Sequence, residues 1–430
     1  MNILVKKFLI KKSNNGYFWN TIAGIINASE AVILSMVITR TNGLEDAGIL
    51  TIAFAIGNLF ANIGKFGVRN YQVSDINEEF SFSNYFIARM ISAMIMLVVS
   101  VGYIVMQMKE SDRYSCSKAM IIFLMCIIYL IESVEDVFWG LYQKRNALDV
   151  GAKMFSIRWV LTIVLMALVL IYKHDLLQAI GAGAVISGLV FLYLLWLTFP
   201  YFKEKIVWGI HRKDILVLKV CTPLFGVLFM TFYITNAPKY SIDRWLTESE
   251  QACYGFIAMP VFVIELLNGF IYQPVLVKMS MEWQTGDRDG FLKRIYKQSI
   301  IILCLLIFCL VGADLIGIPI LSILYAVDLS NYKIELLILL IGGGMLAVVG
   351  YFCTLMTIMR KQKWVMYGFL LVSILSVFLS DYCVKNYGVR GASVLYTVLM
   401  TVLAAIFTGM LCIILGRAKE WKEKTENKKY

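Results

Sequence analysis

Among the carboxylates that stand inside apolar stretches of this 430-residue chain are Glu30, Glu132, Glu135, Asp136 and Glu265. An ionised group at the centre of a bilayer costs roughly 2.5–3.5 kcal/mol, so each one needs a partner or a wetted cavity. Glu30 and Glu265 fall near the middle of their stretches, at the depth of a bilayer midplane. Burial there raises a carboxyl's proton affinity, so either residue is a candidate for proton or cation coupling. A hydrogen-bonded structural acid is the alternative for both. Glu132 and Asp136, at i and i+4, share one helical face. Asp136 and Arg158 stand at matched depth on successive antiparallel stretches, which predicts a salt bridge between them and leaves Glu132, one turn deeper, to face a cavity.

Cations gather as well. Lys65, Arg69, Arg89 and Arg158 lie at the same ends of their stretches. Arginine forks onto phosphate oxygens and lysine supplies a point charge, so the four form a candidate access patch for a doubly charged phosphate head group. Snorkelling, topology-setting charge is the alternative. The segment Asn236–Arg244 (NAPKYSIDR) is the least ordinary of the chain. Pro238 is expected to break the helix there. Asn236, Lys239 and Asp243 share a face, with Arg244 closing the segment, and polar groups on an interrupted membrane helix point to a transport site. A plain helix end is the other reading.

The elements that must position these groups are membrane helices. The chain is 60% hydrophobic with a mean hydropathy of +0.74, where soluble proteins are about 45–50% apolar. Apolar runs fall at 20–39, 48–67, 83–107, 117–141, 153–172, 176–199, 217–235, 252–275, 298–325, 334–359, 364–384 and 391–416. Each is long enough to cross a bilayer, which takes about 20 residues in helix. Unpaired backbone groups cannot stand in lipid, and runs that do not alternate are helices, not barrel strands. The first run is full length and lacks a small-residue cleavage pattern, so no cleavable signal peptide is expected.

The net charge of +11 sets orientation and does not call for nucleic acid. Twenty-six Lys and Arg residues fall on the side shared with the N-terminus and nine in the alternate loops, which predicts both termini in the cytoplasm. The nine cysteines are scattered without a CxxC pair, and two histidines in short loops offer no zinc site. No GxxxxGK[ST] loop is present, so ATP hydrolysis is not expected of this chain.

Local strings recur across the connection Pro200–Leu216. Phe138–Arg145 (FWGLYQKR) is echoed by Thr354–Lys361 (TLMTIMRK), and Gly183–Ile186 (GAVI) by Gly391–Val394 (GASV). These echoes favour two six-helix halves in a parallel repeat. The expected division is an N-terminal lobe over 1–200, a cytoplasmic linker over 201–216, a C-terminal lobe over 217–416 and a basic tail over 417–430. Pro223, Pro260, Pro274 and Pro319 fall inside spans and predict kinks, while Gly342–Gly344 predicts close helix contact or a hinge.

Arg40–Gly48 (RTNGLEDAG), Asp136–Arg145 (DVFWGLYQKR), Ala237–Arg244 (APKYSIDR) and Ala258-Met-Pro carry a resemblance to the polysaccharide-biosynthesis flippases of the MOP (multidrug/oligosaccharidyl-lipid/polysaccharide) exporter superfamily, over roughly residues 17–416. The resemblance implies an all-α, polytopic, MATE-like fold of two pseudo-symmetric lobes in a bacterial cytoplasmic membrane. It also implies a flippase that carries an undecaprenyl-pyrophosphate-linked repeat unit outward for capsule or O-antigen-type polymers, alongside a polymerase and glycosyltransferases. No cofactor is implied, and coupling to H+ or Na+ would run through Glu30 or Glu265. Three alternatives stay open: a cation-coupled multidrug exporter of the same superfamily, a membrane polymerase or ligase, and an assembly scaffold. The short external loops argue against the second.

Overall fold

The computed structural model describes Leu9 and residues 16–110, 114–272 and 275–426, with the side chains at 262–263, 265–272, 277, 288, 362 and 417–426 outside that description. The Glu265 side chain, Pro274 and the basic tail expected over 417–430 therefore lie outside the described side chains. Among the described residues the secondary structure is helical throughout. The order begins α1 Gly16–Thr41, α2 Leu44–Lys65, α3 Val68–Ser74, α4 Phe82–Glu110 and α5 Cys116–Lys144. It continues α6 Leu148–Lys173, α7 Leu176–Thr198, α8 Arg212–Trp245 and α9 Glu248–Tyr272. Then follow α10 Leu276–Thr285, α11 Arg288–Gly312, α12 Ile318–Tyr325 and α13 Lys333–Ile358. The run Gln362–Glu426 is broken at Gly388, whose φ of 59° and ψ of −143° are not helical, giving α14 before it and α15 after it.

Nine stretches among the described residues are long and apolar enough to cross a membrane. The apolar run at 117–141 lies on α5, and α9 covers the run at 252–275 as far as Tyr272. Side chains such as Met94, Val98, Leu192 and Phe308 are more than half exposed on these helices, as lipid-facing residues must be. A chain whose helices are apolar on their outside belongs in a bilayer.

Local chemistry sets the helix ends. The Ser115 hydroxyl accepts from the Lys118 N–H at the start of α5, and Asp175 accepts from the Gln178 N–H at the start of α7. Each satisfies one of the amides a first turn leaves unpaired. Between α2 and α3 the chain turns through Phe66 and Gly67, both at positive φ.

The residues divide into two compact units, Met1–Phe229 with Thr247–Ala252, and Met230–Leu246 with Cys253–Tyr430. The connection over 201–216 belongs to the first unit. An aromatic cluster helps to knit that unit together, with Phe138 ring centroids 5.6 Å from Phe82, 5.7 Å from Phe86 and 5.5 Å from Phe199. In the second unit the three glycines of α13 serve contact. Side chains there would overlap the Tyr396 ring at Gly342 and Leu306 at Gly344.

One expectation about proline is corrected. Pro238 does not break its helix, for α8 runs unbroken from Arg212 through Trp245 and contains Pro223 as well. A proline removes one donor, and a packed membrane helix absorbs that loss when the turns on either side keep their own bonds. Near Pro319 the helix is disturbed one turn earlier, by a π-helical segment over Ala313–Gly317. Such wide turns hold an extra residue that the regular ladder cannot.

Candidate functional site

Lys65, Arg69, Arg89, Glu132, Glu135, Asp136 and Arg158 converge on one cluster built by α2, α3, α4, α5 and α6, with Glu30 of α1 beside it. Lys65, the last residue of α2, donates from Nζ to Glu132 Oε1 at 2.6 Å. Glu132 also accepts from the Trp159 indole N–H at 3.1 Å through its other oxygen. Asp136, one turn along α5, receives Arg89 NH2 on Oδ2 at 2.8 Å and Arg69 NH1 on Oδ1 at 3.3 Å. Arg69 reaches Gln143 Oε1 at 2.9 Å and lies over the Trp139 ring at 4.1 Å.

Arg158 is not the partner of Asp136. Its Nε donates to Glu135 Oε2 at 2.7 Å, its NH1 donates to Ser187 at 2.9 Å, and NH2 stands 3.7 Å from Glu132. Matched depth placed Arg158 on the correct level, but the salt bridge expected with Asp136 is replaced by one with Glu135. Adjacent residues on a helix point about 100° apart; azimuth, which depth does not carry, selects the partner.

Arg89 owes its place to a glycine. Gly64 lies in the last turn of α2, where backbone carbonyls lack helical partners. Its oxygen accepts from Arg89 NH1 at 2.8 Å and from the Ser92 hydroxyl at 2.7 Å. A side chain at Gly64 would collide with Met96 and Ser133, so glycine permits α2, α4 and α5 to close around the guanidinium. Arg89 and Arg158 are fully buried, whereas Lys65 and Arg69 keep side-chain exposures of 33% and 21%.

Beside this cluster lies a cavity of about 190 Å³, walled by Lys65, Arg69, Glu132, Glu135, Asp136 and Trp139. Glu30 is buried next to the network, where it accepts a hydrogen bond from the Tyr129 hydroxyl, which in turn accepts from Asn58 Nδ2 at 2.6 Å. The expected four-cation patch is thus spatially real for Lys65, Arg69, Arg89 and Arg158, yet each member is joined to a carboxylate.

In the second unit, Asn236 is buried and donates from Nδ2 to the Phe232 carbonyl at 3.1 Å. Asp243 is buried, and Lys239, half-buried on the same helix, makes no ion pair among the described residues. Arg244 pairs with Asp381 at 2.6 Å, and the Ser241 hydroxyl donates to the other oxygen of that carboxylate at 2.7 Å.

Several participants were not anticipated from the residues. Asn58, Tyr129, Trp139 and Trp159 supply hydrogen bonds or a ring face to the charges, and Asn58 is the one with a sequence signal, an amide that shares an apolar run with Asn62. Lys118 and Glu248, 130 residues apart, pair at 2.6 Å within the first unit. Nothing local in the sequence joins them.

A helical bundle with an apolar exterior and an ion-paired polar interior around a cavity is the architecture of a multi-pass membrane protein. Comparisons with known proteins make that specific. The polysaccharide biosynthesis protein family matches residues 13–280, and this chain belongs to that family. The capsular polysaccharide biosynthesis protein CapF of Staphylococcus aureus is 21% identical over 384 residues, covering 88% of this chain and 93% of that one. Among solved structures, the lipid II flippase MurJ in an inward closed conformation matches with a TM-score of 0.73 at 13% identity, over 91% of this chain and 87% of MurJ. A multidrug resistance MATE family transporter of the MOP superfamily, inward-facing, gives 0.72 at 11% identity over 93% and 99%. At these identities the structures establish a shared fold.

Proposed function

We propose that this protein is a flippase that carries an undecaprenyl-pyrophosphate-linked oligosaccharide from the inner to the outer leaflet of a bacterial cytoplasmic membrane, for a capsule or O-antigen-type polymer. The observation that carries this reading is the family match over residues 13–280 on a chain whose polar cluster surrounds a cavity inside the apolar helices. A glycan and its phosphates cannot cross hydrocarbon unaided, and a polar interior within a helical bundle offers them a route. The polyprenyl tail stays in lipid. Glycosyltransferases supply the cargo and a polymerase consumes it.

In this reading twelve helices form two six-helix lobes with both termini in the cytoplasm, and they alternate access by rocking. No bond is made or broken in the cargo, so the protein is a transporter and not an enzyme. Lys65, Arg69 and Glu132 line the path in the first lobe, and Asn236, Lys239, Asp243 and Arg244 in the second. Arg89 and Arg158 act from behind, holding the carboxylates in place. Glu30 or Glu265 couples movement to a proton or sodium gradient.

The test is direct. Full-length protein in lipid vesicles moves an extracted lipid-linked oligosaccharide between leaflets, read by the share of glycan open to an added lectin. Movement no faster than in empty vesicles, or movement of organic cations in its place, overturns the reading.

A further inference from the structure

We propose that the first-unit cavity receives an uncharged, hydroxyl-bearing sugar ring of the cargo and not its pyrophosphate. This assignment rests on the flippase reading for the identity of the cargo, and on the cavity alone for the chemistry.

Three observations lead there. First, the cations are already engaged: Lys65 with Glu132, Arg69 and Arg89 with Asp136, and Arg158 with Glu135. A pyrophosphate offers acceptors only, so to be bound it would have to pull Lys65 or Arg69 from a carboxylate and leave that carboxylate facing a second anion. Second, three carboxylates and two cations line the cavity, and with Arg89 and Arg158 paired to those carboxylates from behind the cluster is four cations against three carboxylates. Charges so nearly balanced, each held in a pair, do not concentrate anions as a cleft of one sign would. Third, the cavity holds donors and acceptors side by side. Asn20 and Asn27 contribute amides from α1, and buried Glu135 keeps Oε1 without a hydrogen-bond partner among the described residues. Trp139, also in the wall, keeps its indole N–H unpartnered in the same way.

A hydroxyl both donates and accepts. Several on one ring can enter a lattice of ion pairs by bridging it, with no net charge to neutralise. The cavity volume of about 190 Å³ equals the share of roughly six waters at about 30 Å³ each. That is the scale of one sugar ring.

Two measurements on the full chain in lipid vesicles decide the matter. In Asn27→Cys, reaction rates with neutral, cationic and anionic methanethiosulfonates are read on the labelled peptide by mass spectrometry, so that the nine native cysteines do not interfere. Relative to a free thiol, the anionic reagent is expected to gain less than about tenfold, the lower bound for a cleft of one sign. A larger gain makes the cavity an anion site and overturns the proposal. In the second measurement, Asn27→Leu is expected to slow the extracted lipid-linked oligosaccharide while sparing sugar-free undecaprenyl pyrophosphate. Equal slowing of the two lipids, or of neither, overturns it. Should the unaltered protein move neither lipid, the flippase reading falls, and the reagent rates still decide the character of the cavity.

Discussion

Arg158 donates from Nε to Glu135 at 2.7 Å, while Asp136, the next residue of the same helix, turns to Arg89 at 2.8 Å. Two fully buried guanidiniums are thereby matched to two neighbouring carboxylates on different sides of α5. This division fixes the rotation of α5 between α4 and α6. A slip in either direction would leave a charge unpaired.

Breaking one of these pairs is expected to be costly. Removal of one partner of a buried ion pair destabilises by about 3–5 kcal/mol, while replacing both by apolar groups of similar size is close to neutral. Arg158→Met should therefore lose stability in that range, and Arg158→Met with Glu135→Leu should recover most of it. Denaturant unfolding in detergent measures both. Additive losses in the double variant would show that the two side chains do not act as a pair.

Arg244 should behave in the opposite way. Its pair with Asp381 is half exposed, with side-chain exposures of 52% and 37%, and such pairs contribute at most about 1 kcal/mol. Arg244→Ala is expected to shift the unfolding midpoint only slightly. A loss comparable to that of Arg158→Met would mean that the pair is shielded from water by something else.

The contrast shows what the residues reveal in advance. The helices were legible because lipid tolerates no unpaired backbone, so an unbroken apolar run has one solution. Depth was legible for the same reason: counting along α5 and α6 placed Asp136 and Arg158 on one level. Pairing was not, because it depends on rotation about each helix axis and on how neighbours cross. The bond of Lys65 to Glu132 and the stacking of Arg69 on Trp139 follow from that rotation. Pro238 misled for another reason. The rule for helix interruption treats a helix in isolation, and α8 continues through the proline inside a packed unit.

Gly48 marks a backbone contact that a side chain would break. A Cβ there would overlap the carbonyl of Glu248, the residue that pairs with Lys118. Because backbone cannot swing aside as a side chain can, Gly48→Ala should cost about 1–3 kcal/mol, the usual penalty of overpacking. Gly102→Ala is the control, since nothing lies within 4 Å of its Cβ. In a helix interior that change should gain up to about 1 kcal/mol. Equal thermal stability of the two variants would refute the close approach.

Asp75, outside the long helices, gives a pH-dependent signature. Burial raises its proton affinity, but hydrogen bonds from the Tyr85 hydroxyl and from the Glu79 and Phe80 amides outweigh that and hold the carboxyl below its ordinary value. The fold therefore favours the ionised form. Its contribution is complete above the ordinary aspartate value of about 3.9 and is lost as pH falls through the depressed value. In Asp75→Asn the Glu79 and Phe80 amides should exchange hydrogen faster than in the unaltered protein at neutral pH, and the two should converge in acid. A gap that persists unchanged in acid would sink the assignment.

Glu30 sits where coupling would need it, buried beside the ion-pair cluster and held by the Tyr129 hydroxyl, with Oε2 unpartnered among the described residues. Replacing it by glutamine keeps an oxygen for Tyr129 and removes the proton-binding site. If Glu30 is the coupling group, Glu30→Gln vesicles should keep their lipid-linked oligosaccharide exchange at zero gradient and lose its acceleration by an imposed pH difference. Tyr129→Phe, which removes the hydrogen bond and leaves the carboxyl, should retain that acceleration with an altered pH dependence. An undiminished response in Glu30→Gln would remove Glu30 from the mechanism, and the same measurement on Glu265→Gln would then test the other carboxyl.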